Sequence, residues 1–195
     1  AEWNSARLKN QKCLTQIKIL DMTNLSVYVG TYNKYNEGSI FGKWIDLSNY
    51  SNLSDFYKDI RELHNDEADP EFMFQDYEAS GLITSLGLIS ECHISSNIFE
   101  ILDTIKKCGY DEEVIEAYLD CMGYNDDEIC EVIEKVGEAY SGEFESDIEF
   151  TQNLLESCGD IPENLPSYIY IDWERTARDI MFDYSTSNDH YFRNL

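Results

Sequence analysis

Seventeen carboxylates fall between Glu100 and Glu149, opposed only by Lys106, Lys107 and Lys135, so this stretch carries a local net charge of −14. Carboxylates at that density can coordinate a hard cation, work as an acid–base pair, or hold fixed negative charge against a cationic surface. The string nearest to a calcium loop, Asn125-Asp126-Asp127-Glu128, lacks the loop's central glycine and its ligand spacing. Among 39 acids, close pairs arise by chance everywhere, so no catalytic dyad is legible. The third chemistry is the expectation. Its candidate residues are Asp111, Glu112, Glu113, Glu116, Asp120, Asp126, Asp127, Glu128, Glu131, Glu134 and Glu138.

Spacing supports that choice. Glu113, Glu116 and Asp120 step by three and four residues, as do Glu131, Glu134 and Glu138. On a helix such steps bring side chains to one face, with Cβ atoms about 5–6 Å apart. Phosphates on one DNA strand advance by about 3.4 Å along the duplex axis, so acids on a rigid helix repeat on a similar length scale. Ordinary solvated helix faces mix both signs, and this one does not.

Such charges need a scaffold, and the sequence supplies one. Val114, Ile115, Tyr118, Leu119 and Met122, then Ile129, Val132, Ile133 and Val136, keep a helical period through the acids. That apolar content is enough to offset the entropy of ordering, so folded helices are expected rather than an acidic tail. GYDEEVIEAYL (109–119) and GYNDDEICEVI (123–133) form a weak repeat at an offset of fourteen. In each, glycine ends one helix and Asp111 or Asn125 is expected to cap the next, with acids in its first turn.

The whole chain has 195 residues, 39 acids, 14 bases and a formal charge of −25. Residues 1–20 carry +3, leaving −28 on the remainder. No basic stripe exists to neutralise phosphates, which excludes a conventional nucleic-acid binder and argues against an anionic membrane surface. A cationic protein partner is expected, with association that salt weakens. The six cysteines form no C-x-x-C and read as reduced core thiols, three of them (Cys108, Cys121, Cys130) in or beside apolar stripes. No run suits a membrane span and no secretory h-region appears, so a cytoplasmic protein is expected.

The flanks read as α+β, giving three small domains: α+β, a helical bundle, and α+β. The expected boundaries are a basic leader at 1–24, then 25–80, 81–137 and 138–195. Residues 25–78 read as β-β-α-β: a strand from Leu25, a turn over 33–38, a strand over 39–47, a helix capped by Ser54 or Asp55, and a strand over 71–78. Residues 79–94 read as a linker or short helix. A helix capped by Ser95 or Ser96 then runs to Gly109. Residues 139–144 suit a strand, 147–158 a helix closed by Gly159, and 172–182 a helix, with a last strand at Tyr191 and Phe192. His64, His93 and His190 have no His or Cys partner at a metal-ligand interval, and no phosphate-binding glycine loop occurs. No enzyme, metal or cofactor is expected.

Three strings resemble the ArdA antirestriction proteins of conjugative plasmids and transposons: YVGTYNKYNEGSIFGKW (28–44), FQDYE (74–78) and IPENLPSYIYIDWERTARDI (161–180). The likeness runs from about Leu25 to the C-terminus, matches the acidic middle by character more than by letter, and leaves the leader out. The resemblance implies an elongated homodimer that mimics bent B-form DNA. It would occupy the DNA-binding groove of type I restriction–modification enzymes and block restriction, and often modification, of incoming DNA. It also implies a dimer interface in the C-terminal domain, with Leu155, Pro162, Leu165 and Tyr168 as its candidates beside a plain packing role for each. At one duplex charge per about 1.7 Å, the 28 excess negatives match roughly 48 Å, or about 14 base pairs. A mimic of this kind copies the backbone and leaves base edges alone. An acidic chaperone of basic proteins would use the same charge, and only an inhibition assay separates the two.

Overall fold

The computed structural model describes residues 25–161 and 164–195. The leader and Pro162 therefore lie outside the described residues. The chain is mixed α and β with small antiparallel sheets, and it divides into two compact units between Glu112 and Glu113.

The first unit is organised on β1 (Ser26–Thr31), the centre of a sheet ordered β2-β1-β3 with β2 at Lys43–Asp46 and β3 at Phe72–Glu78. Val27 and Val29 are fully buried, as are Phe56 and Ile60 of the helix α2 (Leu53–Leu63). The register slips at Tyr28/Val29: Tyr28 faces Asp76 while Val29 faces Phe74. The bulge leaves Gln75 as the extra residue, and the successive residues Met73 and Phe74 are both buried, so this part of β3 is covered on both faces. The second strand is shorter than expected. Gly42, just before it, is forced by close approach, since a Cβ there would sit 2.5 Å from the Val29 carbonyl oxygen.

Between β1 and β2 the expected turn is in part a helical turn, α1 (Tyr32–Asn36), started by the Thr31 hydroxyl accepting from the Lys34 N–H. The cap of α2 is Asn52 rather than Ser54 or Asp55. Its side chain accepts from the Asp55 N–H at 2.9 Å, and its amide donates to the Asp55 carboxylate at 2.9 Å. Asp55 thus serves at the third helical position, where an acid answers the cap. The 79–94 stretch folds as α3 (Gly81–Ser85) and a small hairpin, β4 (Ile89–Ser90) with β5 (His93–Ile94). α4 (Ile98–Cys108) starts at Asn97, two residues past Ser95, and ends at Gly109 with φ +73°.

The second unit holds most of α5 (Glu112–Met122), then α6 (Ile129–Glu134), α7 (Val136–Ala139), β6 (Tyr140–Glu143), α8 (Asp147–Cys158), α9 (Trp173–Ile180), β7 (Tyr184–Ser187) and β8 (His190–Arg193). The sheet order is β6-β8-β7, all antiparallel. Tyr191 and Phe192, successive residues of the central strand β8, are both buried. Tyr191 stacks on Phe150 of α8 at 4.6 Å, while Phe192 meets Tyr118 of α5 at 5.1 Å. The sheet is therefore packed on both faces. Ser146 caps α8 and Gly159, at φ +77°, ends it. Asp172 caps α9.

Candidate functional site

Two clusters of ionisable side chains compete for a functional role. The first is His64, Asp66 and Glu67, whose ligand atoms lie within 4.8 Å of one another. Its centre is taken by a cation the protein supplies. The Lys34 ammonium lies 2.7 Å from Asp66, 3.4 Å from Glu67 and 3.0 Å from His64 Nδ1, over the Phe41 ring at 4.7 Å. Thr31 Oγ1 donates to Glu67 at 2.6 Å. His64 is wholly buried, with Nε2 against the Val29 carbonyl at 3.3 Å. The tautomer with hydrogen on Nε2 donates to Val29 and leaves Nδ1 to accept from Lys34. Burial drives the His64 pKa below the ordinary histidine value, with Lys34 lowering it further and the Val29 bond acting against them. The donors are spoken for, and the cluster is a structural tie between β1, α1 and the end of α2. Sequence spacing did not reveal it, because Lys34 and His64 are thirty residues apart.

The second cluster is the acidic run. In α5 the face formed by Val114, Ile115, Tyr118 and Leu119 is buried, so Glu113 and Asp120 are exposed and Glu116 is half-buried. In α6 and α7, Ile129, Ile133, Val136 and Ala139 turn inward, leaving Glu131, Glu134 and Glu138 exposed. These three do not share one helix, however. The chain breaks at Lys135, which closes α6 and opens α7, so the step from Glu134 to Glu138 crosses a junction. The expected cap at Asn125 is also displaced. Asn125 to Glu128 form a turn, with the Asn125 amide donating to Glu128 at 3.0 Å, and α6 starts only at Ile129. Asp126, Asp127 and Glu128 are exposed on that turn instead of filling a first helical turn.

Charge along this run is largely uncompensated. Among the described residues no base forms an ion pair with Glu113, Glu116, Asp120, Asp127, Glu128, Glu131, Glu134 or Glu138. Tyr124 marks a point of convergence. Burial pushes its phenol pKa up, and Asp126, Asp120 and Glu116 add to the rise. Glu138 acts in the same sense on Tyr118, after burial and Cys121. Asp120 accepts from the Ser187 hydroxyl at 3.4 Å, tying α5 to β7.

Asp111 and Glu112 belong to the first unit and are half-buried. The Glu112 carboxylate accepts the Leu82 N–H at 3.3 Å, which serves the start of α3.

Of the remaining candidates, Leu155 on α8 and Leu165 are half-buried, while Tyr168 is 79 % exposed. Cys108, Cys121 and Cys130 are half-buried rather than core, and burial raises the thiol pKa of Cys108 and Cys121. No helix among the described residues is long and apolar enough to cross a membrane.

No curated relative and no solved structure matches the chain. A family model described as antirestriction protein (ArdA) matches residues 27–193.

Proposed function

The chain belongs to the ArdA antirestriction family, and on that premise we propose that it acts as a DNA mimic that occupies the DNA-binding groove of type I restriction–modification enzymes. The observation that carries this reading is the set of exposed carboxylates that form no ion pair among the described residues: Glu113, Asp120, Glu131, Glu134 and Glu138 on helices with buried apolar faces, and Asp127 and Glu128 on the turn before α6. Fixed charge differs from a disordered acidic tail, because ordering is already complete before the partner arrives. Negative groups held in place meet a basic groove as phosphates do, through backbone-type contacts that carry no sequence information. Such an inhibitor competes with incoming DNA by mass action, against restriction and against modification.

Dimerisation belongs to the same proposal, with Leu155, Pro162, Leu165 and Tyr168 at the interface. Tyr168, Tyr170 and Phe182, exposed at 79 %, 86 % and 78 %, support it, since large apolar side chains left in water mark association surfaces. The same proposal carries a division into domains at 25–80, 81–137 and 138–195, with acids concentrated in the middle one.

The test is a cleavage assay with a purified type I enzyme and a DNA target. Inhibition near one inhibitor per binding site, relieved by excess DNA, supports the proposal. Binding to basic nucleoid-type proteins with the enzyme left uninhibited would replace it with the acidic-chaperone reading.

A further inference from the structure

A different cation-seeking feature lies in the first unit. Between β2 and α2 opens a cleft of 560 Å³ lined by Lys43, Trp44, Asp46, Tyr50, Asp59 and Glu62 among others. We infer that this cleft receives the guanidinium of an arginine side chain on a protein partner, stacked on Trp44 and met by the Asp59 and Glu62 carboxylates. The inference rests on the proposed reading insofar as that reading supplies a partner with a basic surface.

Three observations converge. Trp44 is 41 % exposed, and its ring is set edge-on against Tyr28 at 5.6 Å, which fixes the indole while leaving part of it to solvent. Large aromatic groups held in water beside anions suit a cation with a planar face. Second, two of the three lining carboxylates are oriented by hydrogen bonds, and all three lack a neutralising base among the described residues. Asp46 accepts from the Ser48 N–H at 2.8 Å and Asp59 accepts from the Tyr50 hydroxyl at 2.9 Å. Each bond uses one oxygen's lone pair and leaves further acceptor capacity. Among the described residues no base pairs with Asp46, Asp59 or Glu62. Third, the lining holds three acids and one base, Lys43, so its charge repels anions. A purely apolar occupant would strip water from the carboxylates without replacing it.

Arginine fits better than lysine. Its flat, weakly hydrated guanidinium can lie on the indole while its fork reaches a carboxylate, whereas an ammonium is compact and strongly hydrated. The cleft sits on a strand and a helix, so its geometry is set by the fold, and Leu47, which follows β2, and Phe56 of α2 are fully buried.

The test uses the full chain labelled with 15N and follows the Trp44 indole signal, assigned by its loss in Trp44→Phe. N-acetylarginine amide, N-acetyllysine amide and the uncharged N-acetylcitrulline amide are titrated in turn. The expected result is a saturable Trp44 shift with the arginine compound, a weaker one with lysine and none with citrulline. The Asp59→Asn/Glu62→Gln double variant, its fold checked by the backbone amide spectrum, should bind about tenfold more weakly. Absence of saturation, an equal response to citrulline, or unchanged binding by the double variant would overturn the inference. These outcomes are independent of the restriction assay: a failed titration leaves wild-type inhibition standing, and a failed inhibition assay leaves the titration standing.

Discussion

The Lys34 ammonium lies 3.0 Å from Nδ1 of His64, a wholly buried imidazole. Two groups that both carry positive charge at low pH are in contact, and the contact holds because one of them stays neutral. Protonation of His64 would turn its acceptor Nδ1 into a donor facing another donor.

Stability of the first unit should therefore fall on acidification. The folded His64 pKa lies below the ordinary value of 6.5, so the unfolded chain binds more protons in this range and stability rises with pH. The contribution is complete above 6.5 and is lost as pH falls below it, down to the depressed folded value. Hydrogen exchange at the β1 amides, read between pH 7 and 5 after correction for intrinsic rates, should show protection declining. His64→Gln should flatten that decline.

Replacing Lys34 tests the same tie from the other side. Lys34→Met leaves Glu67, whose side chain is only 13 % exposed, without its ion partner, while Asp66 at 63 % stays hydrated. A loss of about 1–2 kcal/mol is expected, smaller than for a fully buried pair because of that exposure. Urea unfolding monitored at first-unit amides measures it, and the matching Glu67→Gln substitution should recover part of the loss.

The cap of α8 gives a local test in the second unit. Ser146 Oγ accepts from the Glu149 N–H at 3.2 Å, while the Glu149 carboxylate accepts from the Glu145 N–H at 2.8 Å. Ser146→Ala should destabilise that unit by about 1 kcal/mol, and Ser146→Asp should restore it. Thermal unfolding followed through the aromatic signals of Phe150 and Tyr191 reads both.

These tests also mark where sequence was informative. Helix α8 was legible to the residue, because Ser146 and Gly159 are local signals that tertiary packing did not override. Exposure of Glu131, Glu134 and Glu138 was legible too, since Ile129, Ile133 and Val136 claim the opposite side. The break at Lys135 was not: Gly137 lies two residues beyond it, inside α7, and the apolar period of Ile129, Ile133 and Val136 runs through the junction uninterrupted. Strand β7 was missed although Asn188 and Asp189, at φ +49° and +64°, make the tight turn into β8; a hairpin flanked by serines and threonine lacks the apolar alternation that identifies a strand. The bulge opposite Val29 and the tie from Lys34 to His64 depend on pairing between distant segments, for which local periodicity carries no signal.

Inhibition should depend on salt. If uncompensated carboxylates make the contact, raising salt from about 50 to 200 mM should weaken binding to the restriction enzyme by at least about tenfold, with a linear log–log slope. Equilibrium binding by fluorescence anisotropy gives that slope. A flat response would indicate an apolar contact instead.

Charge reversal at Glu131, Glu134 and Glu138 tests the central claim most directly. The triple variant to lysine, confirmed as folded by its amide spectrum, is compared with the unaltered chain for its inhibition constant against a type I enzyme. The account predicts a loss of about tenfold or more, with Glu134→Gln alone changing it by less than about twofold. A folded triple variant that inhibits as well as the unaltered chain would contradict the assignment of these carboxylates to the inhibitory surface.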